Sequence, residues 1–300
     1  MKRLLVMALL FLTIGTVCFA QENIPEEAKD YASKGQQLFS EGKYTECLDL
    51  IEKAIVKFPE FSKDILQMKI QTLDKLEQGQ EAVLVATELD KIDGKRDVSK
   101  ACDLAWRYSL LNDSENAFKW AKESADRGLQ NYHYYKLYNE FKPVQSHPKF
   151  NDLIEQLKEN AGLGKPAKQF VRNDIFDKEI SLEKYLGKVV LVDFWATWCP
   201  PCVAEMPNLK KLYTEFKDQD FELIGISVDT DKELLKKFLV EKGIEWPIIF
   251  GGKGWNDETK ELYGVQLVPA TWVIDKKGIV REAQIKGDKL KNVIAELVKD

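Results

Sequence analysis

The sequence predicts an α/β domain in its C-terminal half, preceded by an all-α, helical-repeat-like domain. Over residues 24–160 apolar side chains recur every three or four positions, as within residues 48–55, which is the spacing of amphipathic helices. Over residues 169–300, apolar runs of strand length alternate with helical stretches, a pattern typical of a sheet covered by helices. Residues 161–168 contain two Gly and one Pro, which break a helix, so we place a linker there.

The bulk composition is that of a soluble globular protein with an acidic balance. The chain has 300 residues, of which 44% are hydrophobic, and a formal net charge of −5. The length indicates two domains. Because the chain is acidic and has no basic run, the composition argues against nucleic acid or an anionic lipid surface as a partner.

The N-terminus has the pattern of a secretory signal. Lys2 and Arg3 form a charged start, residues 4–19 an apolar stretch, and residues 18–20 a small-x-small cleavage site. The sequence therefore predicts that residues 1–20 are a signal peptide and that the protein is exported to the periplasm or cell envelope.

Two other interpretations of this segment are less favoured. An uncleaved membrane anchor is one, but the apolar run is short for a spanning helix, which needs ~20 apolar residues. A lipoprotein attached through Cys18 is the other, but residues 15–17 lack the leucine and the small residue usual before a lipidated cysteine.

The helical half contains one stretch that resembles a tetratricopeptide repeat, a helix pair of about 34 residues. The stretch covers residues 31–64, and the matching small, aromatic and terminating positions are Gly35, Gly42, Tyr44, Cys47, Ala54 and Pro59. A weaker match covers residues 99–128, whereas residues 65–98 fit poorly. Such helix stacks commonly bind partners, so this domain is a candidate protein-docking surface, and a plain packing role stays open.

Cys47 and Cys102 are the two cysteines of this helical half. We interpret them as small buried residues. A structural disulfide between them is the alternative, since an exported protein tolerates disulfides.

The C-terminal half predicts a regular order of elements. The apolar run just before residue 195 indicates a central strand, and the turn at residues 275–278 indicates an antiparallel hairpin around it. In order, we expect a hairpin over 170–180, strands over 188–194 and 221–228, helices over 199–218 and 232–242, an extended piece over 247–250, a helix over 256–263, hairpin strands over 271–274 and 279–285, and a last helix over 289–298.

The motif Trp-Cys-Pro-Pro-Cys at residues 198–202 directly follows the predicted central strand. A C-x-x-C pair that opens a helix after a buried strand is the arrangement of a redox-active dithiol. Cys199, at an exposed helix terminus, has the positive end of the helix dipole to favour its thiolate, so we predict that it attacks. Cys202, one turn inside, is predicted to resolve the mixed disulfide.

A zinc site is the alternative interpretation of a C-x-x-C pair. Structural zinc needs four ligands, but no second C-x-x-C follows, and the chain's two histidines, His133 and His147, lie far upstream. We therefore expect a Cys199–Cys202 redox-active disulfide, with neither a metal nor a cofactor.

Residues 165–300 closely resemble the thioredoxin fold, and most of all its exported branch of thiol-disulfide reductases similar to TlpA and ResA. Residues 191–202 carry the core motif, and Pro207 falls where the family's active-site helix is kinked by proline. The early hairpin, the inserted helix at 256–263 and the segment Val-Pro-Ala-Thr at 268–271 are also features of this branch.

The resemblance implies a substrate-binding region made of Trp198, Val268 and Pro269. Pro269 matches the family's cis-proline, which faces the dithiol and presents backbone groups of Val268 to a bound cysteine substrate. Cis peptide bonds are essentially confined to X-Pro. An ordinary trans turn proline is the alternative.

The resemblance also assigns two acidic residues to the site. Asp193 matches the buried acid that exchanges a proton with Cys202 in thioredoxins, and Glu205 matches a glutamate kept near the dithiol. The alternatives are a structural carboxyl for Asp193 and a solvated helix residue for Glu205.

The sequence departs from thioredoxin at two places. Gly225 stands where thioredoxin has a lysine beside the buried acid, so the pKa of Asp193 should be higher. Pro200 and Pro201 cannot donate an amide hydrogen to the sulfur of Cys199. Weaker thiolate stabilisation favours a more reducing couple, so we expect a reductant.

The sequence thus predicts an exported thiol-disulfide oxidoreductase that reduces disulfides in envelope proteins or apocytochromes. Its expected partners are cysteine-containing client proteins and a membrane electron donor. A thiol peroxidase is disfavoured because Ala196 and Val192 stand where such enzymes have Thr or Ser and Pro. A non-enzymatic, client-binding scaffold is a third interpretation, disfavoured by the intact cysteine pair and Pro269.

Overall fold

The computed structural model describes residues 25–93 and 97–300 of the chain. The predicted signal peptide at residues 1–20 lies outside the described residues. Within the described ranges, no helix combines the length and the apolar character needed to cross a membrane. Contacts divide the chain into two units, one ending at Asp113 and one comprising Ser114–Asp300.

The described part of the first unit is helical, as the periodicity predicts. Each helix packs against the next one along the chain, including the pair in the stretch that fits the repeat poorly. The resemblance to a tetratricopeptide repeat stays a prediction. The helices are α1 (Glu26–Ser40), α2 (Tyr44–Lys57), α3 (Ser62–Lys75), α4 (Gly79–Asp93) and α5 (Val98–Leu110).

Cys47 lies where three helices of this unit meet. Its thiol is fully buried, lies 3.4 Å from the carbonyl oxygen of Gly35 on α1 and 3.7 Å from the hydroxyl of Thr72 on α3. Burial raises the pKa of this thiol. Cys102 is buried too, and both described residues are thiols that form no disulfide. The interpretation as small buried residues is confirmed.

The second unit begins with four helices that precede the sheet. They are α6 (Ser114–Asp126), α7 (Tyr134–Leu137), α8 (Lys142–Gln145) and α9 (Phe150–Asn160). Hydrogen bonds join this region to the sheet domain: Gln130 donates to the carbonyl of Tyr263 over 2.6 Å, and the Trp272 indole donates to the carbonyl of Ala161 over 3.0 Å. These bonds explain why the contact boundary lies earlier than the predicted linker at 161–168. The limits 24–160 and 169–300 stay predictions.

The rest of the second unit is a five-stranded mixed sheet and a separate two-stranded hairpin. The sheet order is β5-β4-β3-β6-β7, with β4 and β5 parallel to the central strand and β6 and β7 antiparallel to their neighbours. The strands are β1 (Val171–Asn173), β2 (Glu179–Ser181), β3 (Val189–Trp195), β4 (Phe221–Ser227), β5 (Ile248–Phe250), β6 (Ala270–Ile274) and β7 (Val280–Ala283).

Four helices follow the strands of the sheet and cover it. They are α10 (Pro200–Phe216), α11 (Lys232–Lys242), α12 (Glu258–Tyr263) and α13 (Gly287–Leu297). The predicted order of strands and helices is confirmed, with ends that differ by a few residues. Every residue of β3 is buried, because a central strand with helices on its faces meets no solvent. The prediction of a thioredoxin-type α/β domain after a helical region is confirmed.

Candidate active site

Cys199 lies between the end of β3 and the start of α10. Its backbone is extended, with φ −95° and ψ 102°, and its sulfur caps the helix by accepting the N–H of Cys202 over 3.3 Å. Pro200 and Pro201 occupy the first helical turn and carry no N–H. The amide of Cys202 and the helix dipole therefore remain to stabilise negative charge on this sulfur.

The two cysteines are joined in a disulfide, with their Cα atoms 5.3 Å apart. Because the spacing of C-x-x-C on one helical turn brings the sulfurs together, the pair fits both the dithiol and the disulfide state. The predicted Cys199–Cys202 pairing is present in the structure.

The burial of Cys199 corrects one expectation. The sequence places this residue at an exposed helix terminus, but it is 4% exposed, against 2% for Cys202. Cys199 belongs to a cluster of buried side chains, and a loop distant in sequence also contacts it, since the carbonyl oxygen of Val268 lies 3.8 Å from its sulfur. The two cysteines therefore differ in their place on the helix far more than in their exposure.

The peptide bond between Val268 and Pro269 is cis, which confirms the prediction from the motif. The bond lies at the start of β6, next to the dithiol. The carbonyl of Val268 faces the sulfur of Cys199, so a peptide that approaches this sulfur meets the backbone of the loop.

Asp193 lies in the middle of β3, opposite Gly225 on β4 and Thr271 on β6. Its carboxyl is buried, and burial, with a smaller contribution from the negative charge of Glu205, raises its pKa to about 7. The direction is the expected one, with burial as its main cause. A Cβ on Gly225 would come within 2.5 Å of the terminal Cδ1 of Ile248, so a larger residue beside this acid would require that side chain to move.

Glu205 connects the active-site helix to the last helix. One carboxylate oxygen accepts the N–H of Gly287, the first residue of α13, over 3.0 Å, and the other accepts from Asn208 over 3.2 Å. The side chain is half-buried and contributes to the raised pKa of Asp193. Its predicted catalytic role stays a prediction.

Asp229 is a site residue that the sequence analysis missed. Its buried carboxylate accepts the backbone N–H of Thr197 over 3.1 Å, the hydroxyl of Thr197 over 2.7 Å and the hydroxyl of Ser227 over 2.7 Å. These bonds fasten the loop before Cys199 to the end of β4. The only signal in the sequence was an acidic residue directly after a buried strand. An ordinary charged loop residue would produce the same signal.

We expect the Asp229→Ala substitution to lower the free energy of unfolding by about 2 to 4 kcal/mol, because it leaves the partly buried donors of Thr197 and the buried hydroxyl of Ser227 without an acceptor. Asp229→Asn keeps one acceptor oxygen and should cost less. Urea unfolding of the oxidised protein measures this. Asp231→Ala removes an exposed cap of α11 and is the control, with an expected loss of about 1 kcal/mol. Equal losses for the two alanine variants would contradict the assignment.

Trp198 is 54% exposed and stands directly before the dithiol. A second exposed tryptophan, Trp255, faces it with 6.0 Å between the ring centroids. Trp255 belongs to the segment inserted between β5 and α12, and the sequence analysis did not single it out. A single aromatic residue in an insertion does not indicate a site in the sequence alone. Only the fold shows that this residue lies beside Trp198.

Among the residues that the structure describes, no group of three or more His, Cys, Asp and Glu side chains is arranged to hold a metal ion. The chemistry that the site offers is that of two sulfurs, one of them stabilised by a helix terminus. A buried carboxyl whose pKa lies near neutrality is available for proton transfer.

Comparisons with known proteins agree with this site. Residues 163–283 match the model of the AhpC/TSA family. The chain is 35% identical over 141 residues to thiol-disulfide oxidoreductase ResA of Bacillus thuringiensis subsp. konkukian, which covers 47% of this chain and 79% of that protein. It is 33% identical over 141 residues to the ResA of Halalkalibacterium halodurans, covering 46% of this chain and 78% of that protein.

Among solved structures, the thioredoxin domain of a thiol-disulfide oxidoreductase from Bacteroides vulgatus is similar to this chain. The two are 32% identical, with a TM-score of 0.43, and the match covers 45% of this chain and 97% of that one.

Proposed function

This chain belongs to the ResA-like family of thiol-disulfide oxidoreductases, and from that premise we propose that it is an exported reductant of disulfides in envelope proteins or apocytochromes. The observation that carries the proposal is the sulfur of Cys199 at the start of α10, in reach of its partner Cys202 and of the loop at Val268.

The reaction is a two-step dithiol exchange. The Cys199 thiolate attacks one sulfur of the client disulfide, a mixed disulfide forms, and the other client sulfur leaves as a thiolate. Cys202 then attacks the sulfur of Cys199, the mixed bond breaks, and the second client sulfur leaves. Two electrons pass from the protein dithiol to the client, and the protein ends as the Cys199–Cys202 disulfide.

Asp193 is the proton acceptor for Cys202 in the second step. A resolving thiol must lose its proton before it attacks, and a buried carboxyl with a pKa of about 7 can take that proton near neutral pH. Glu205 acts as an electrostatic neighbour, because its charge helps to keep the pKa of Asp193 high.

Trp198, Val268 and Pro269 are the substrate-binding residues of this proposal. The client segment around the reacting cysteine lies across Trp198, which is exposed, and along the backbone at Val268, which faces the sulfur of Cys199.

Export and the electron donor complete the proposal. The pattern at residues 1–20 supports export. An exported reductant has no access to cytosolic thiols, so another donor must reduce its disulfide back to the dithiol. We infer a membrane-bound dithiol donor that reduces the Cys199–Cys202 disulfide. The helical region is a candidate surface for docking this donor or a client.

An insulin reduction assay tests the proposal, together with a peroxide turnover assay. A thiol peroxidase would consume peroxide, and a non-enzymatic scaffold would do neither. We expect insulin reduction with dithiothreitol as the donor and no peroxide turnover above that of a variant lacking Cys199.

The direction of the reaction gives a second prediction. Because Pro200 and Pro201 remove two amide donors near the sulfur of Cys199, its thiolate should be less stabilised than in strongly oxidising dithiols, whose pKa falls to ~3.5. We therefore expect a pKa of Cys199 above about 6 and a potential nearer to roughly −270 mV than to −120 mV. Equilibration of the protein with glutathione buffers measures the potential. A value at the oxidising end would make the protein a disulfide-forming catalyst.

A further inference from the structure

Apolar side chains remain exposed around the dithiol on two sides. Trp198 is 54% exposed, Trp255 is 42% exposed, and Leu267, which directly precedes Val268, is 45% exposed. We call Trp198 and Trp255 the tryptophan pair. Exposing large aromatic side chains to water costs free energy. We therefore expect a bound segment to cover the side chains beside the reactive sulfur.

The tryptophan pair is held in place from several directions. Gly254 has φ +56°, and a Cβ there would come within 3.1 Å of Thr230, so the insertion passes close to the loop after β4. On the other side of Trp255, Asp257 is buried, caps α12 and forms an ion pair with Arg172 at 3.4 Å. The insertion therefore presents the indole of Trp255 as a preformed surface.

Lys260 adds a further support to this ring. Its ammonium group lies 5.5 Å from the centroid of Trp255, which is within the range of a cation–π contact. The ring remains substantially exposed, so this contact orients it without covering it.

The place of the tryptophan pair beside Cys199 in the chain identifies the occupant. Trp198 is the residue before Cys199, and 6.0 Å separate the two rings of the pair. One residue of an extended peptide advances about 3.3 Å, so the pair spans about two residues of a bound segment. The tryptophan pair is therefore in reach of the nearest neighbours of a client cysteine bound at the sulfur of Cys199.

We propose that Trp255, with Trp198, selects client segments that carry an aromatic or bulky aliphatic side chain within two residues of the reacting cysteine. This rests on the proposed function. Trp255 acts as a specificity-determining residue and takes no part in the exchange of the sulfurs. The surface is apolar, so it fits a cysteine whose neighbours are apolar. Such neighbours are accessible in unfolded or partly folded client chains, before they are buried in the hydrophobic core.

The test uses the reduced full chain and two symmetric peptide disulfides. Both peptides have one cysteine and the same terminal charges; one has phenylalanine on each side of the cysteine, and the other has serine. Single-turnover release of peptide thiol is followed by acid quench and chromatography, with hydroxyethyl disulfide as a substrate that has no flanking residues.

For the unsubstituted protein we expect the phenylalanine peptide to react about tenfold faster than the serine peptide, which is the factor that one aromatic contact is worth. Trp255→Ala should bring the two rates within about twofold of each other. The rates with the serine peptide and with hydroxyethyl disulfide should stay unchanged. Trp255→Phe should keep the preference, and Val240→Ala, at an exposed aliphatic residue of α11, is the control.

The possible failures are distinguishable. If the protein reduces none of the three disulfides, the proposed function and this proposal fall together. Equal rates for the two peptides, or an undiminished preference in Trp255→Ala, overturn this proposal alone. The comparison of the two peptides needs no variant, so a poorly folding Trp255→Ala protein still leaves a decisive result.

Discussion

Replacing Cys199 with serine is expected to remove disulfide reduction entirely, a loss of about a thousandfold or more in kcat/KM. A hydroxyl is not ionised at neutral pH and cannot form the mixed disulfide. The expected loss is the largest for any substitution in the chain, because every later step passes through this sulfur.

Replacing Cys202 with serine should give a different result. Cys199 keeps its place at the start of α10 and still attacks, but no thiol remains to resolve the mixed disulfide. The protein should accumulate as a covalent adduct with the client, visible by mass spectrometry and located at Cys199 by peptide mapping. Iodoacetamide should also label Cys199 before Cys202 in the reduced protein at neutral pH.

The matched control is Cys102→Ala, because this cysteine is buried in the first unit and forms no disulfide. It should leave turnover and adduct formation unchanged. Adducts could instead form on Cys202 in the Cys199→Ser protein as fast as they form on Cys199 in the Cys202→Ser protein. In that case the assignment of Cys199 as the attacking cysteine is wrong.

Much of this site was predictable because its residues are close in sequence. A buried strand, a C-x-x-C pair and the start of a helix lie within fourteen residues, 189–202, so local pattern alone brings Cys199 and Cys202 together. Pro269 lies far away in sequence, yet its position follows from the family motif, and the structure places its loop against Cys199.

The features that the sequence did not predict depend on distant contacts. Cys199 is in contact with Val268, which is distant in sequence, and the loop at Thr197 is held by Asp229, which follows another strand. Neither leaves a periodic pattern. The tryptophan pair likewise exists because an insertion returns to the active site, and no spacing rule relates residues so far apart.

The limits of the units show the same principle. Residues 114–160 are helical like the first unit, so periodicity groups them with it, as the predicted range 24–160 does. Contacts group them with the sheet, because side chains such as Gln130 and Tyr132 bond across the predicted linker. The periodicity of apolar residues shows whether a segment is a helix or a strand. It does not show which other segment that helix or strand packs against in the fold.

The buried carboxyl of Asp193 should make the stability of the protein depend on pH. The pKa of this carboxyl is about 7 in the folded protein and about 4 in an unfolded chain. The folded state therefore binds more protons between these values, and stability falls as the pH rises from about 4 to 7. The loss is about 3 to 5 kcal/mol, constant above that window.

We expect Asp193→Asn to remove this loss. Its advantage in unfolding free energy over the unsubstituted protein should be small near pH 4, grow up to pH 7 and then stay constant. Urea unfolding of the oxidised proteins at a series of pH values measures it, since the disulfide does not titrate. Glu205→Gln is the control: it removes the negative charge that helps to raise the folded-state pKa of Asp193, so the upper end of the window should move to lower pH and the total loss should be smaller.

Catalysis should change in the opposite sense. Above pH 7 the carboxylate of Asp193 can accept the proton of Cys202, so release of the client thiol in the unsubstituted protein should rise with pH through about 7. Asp193→Asn lacks this acceptor, and its release rate should be lower by about a hundredfold near pH 7. Its rate should rise only where the thiol itself ionises, near ~8.5. Stopped-flow measurement of client thiol release from pH 6 to 9 distinguishes the two profiles. A variant that is more stable at pH 8 yet resolves the mixed disulfide at the normal rate would leave Asp193 a structural residue, since burial alone accounts for the stability term.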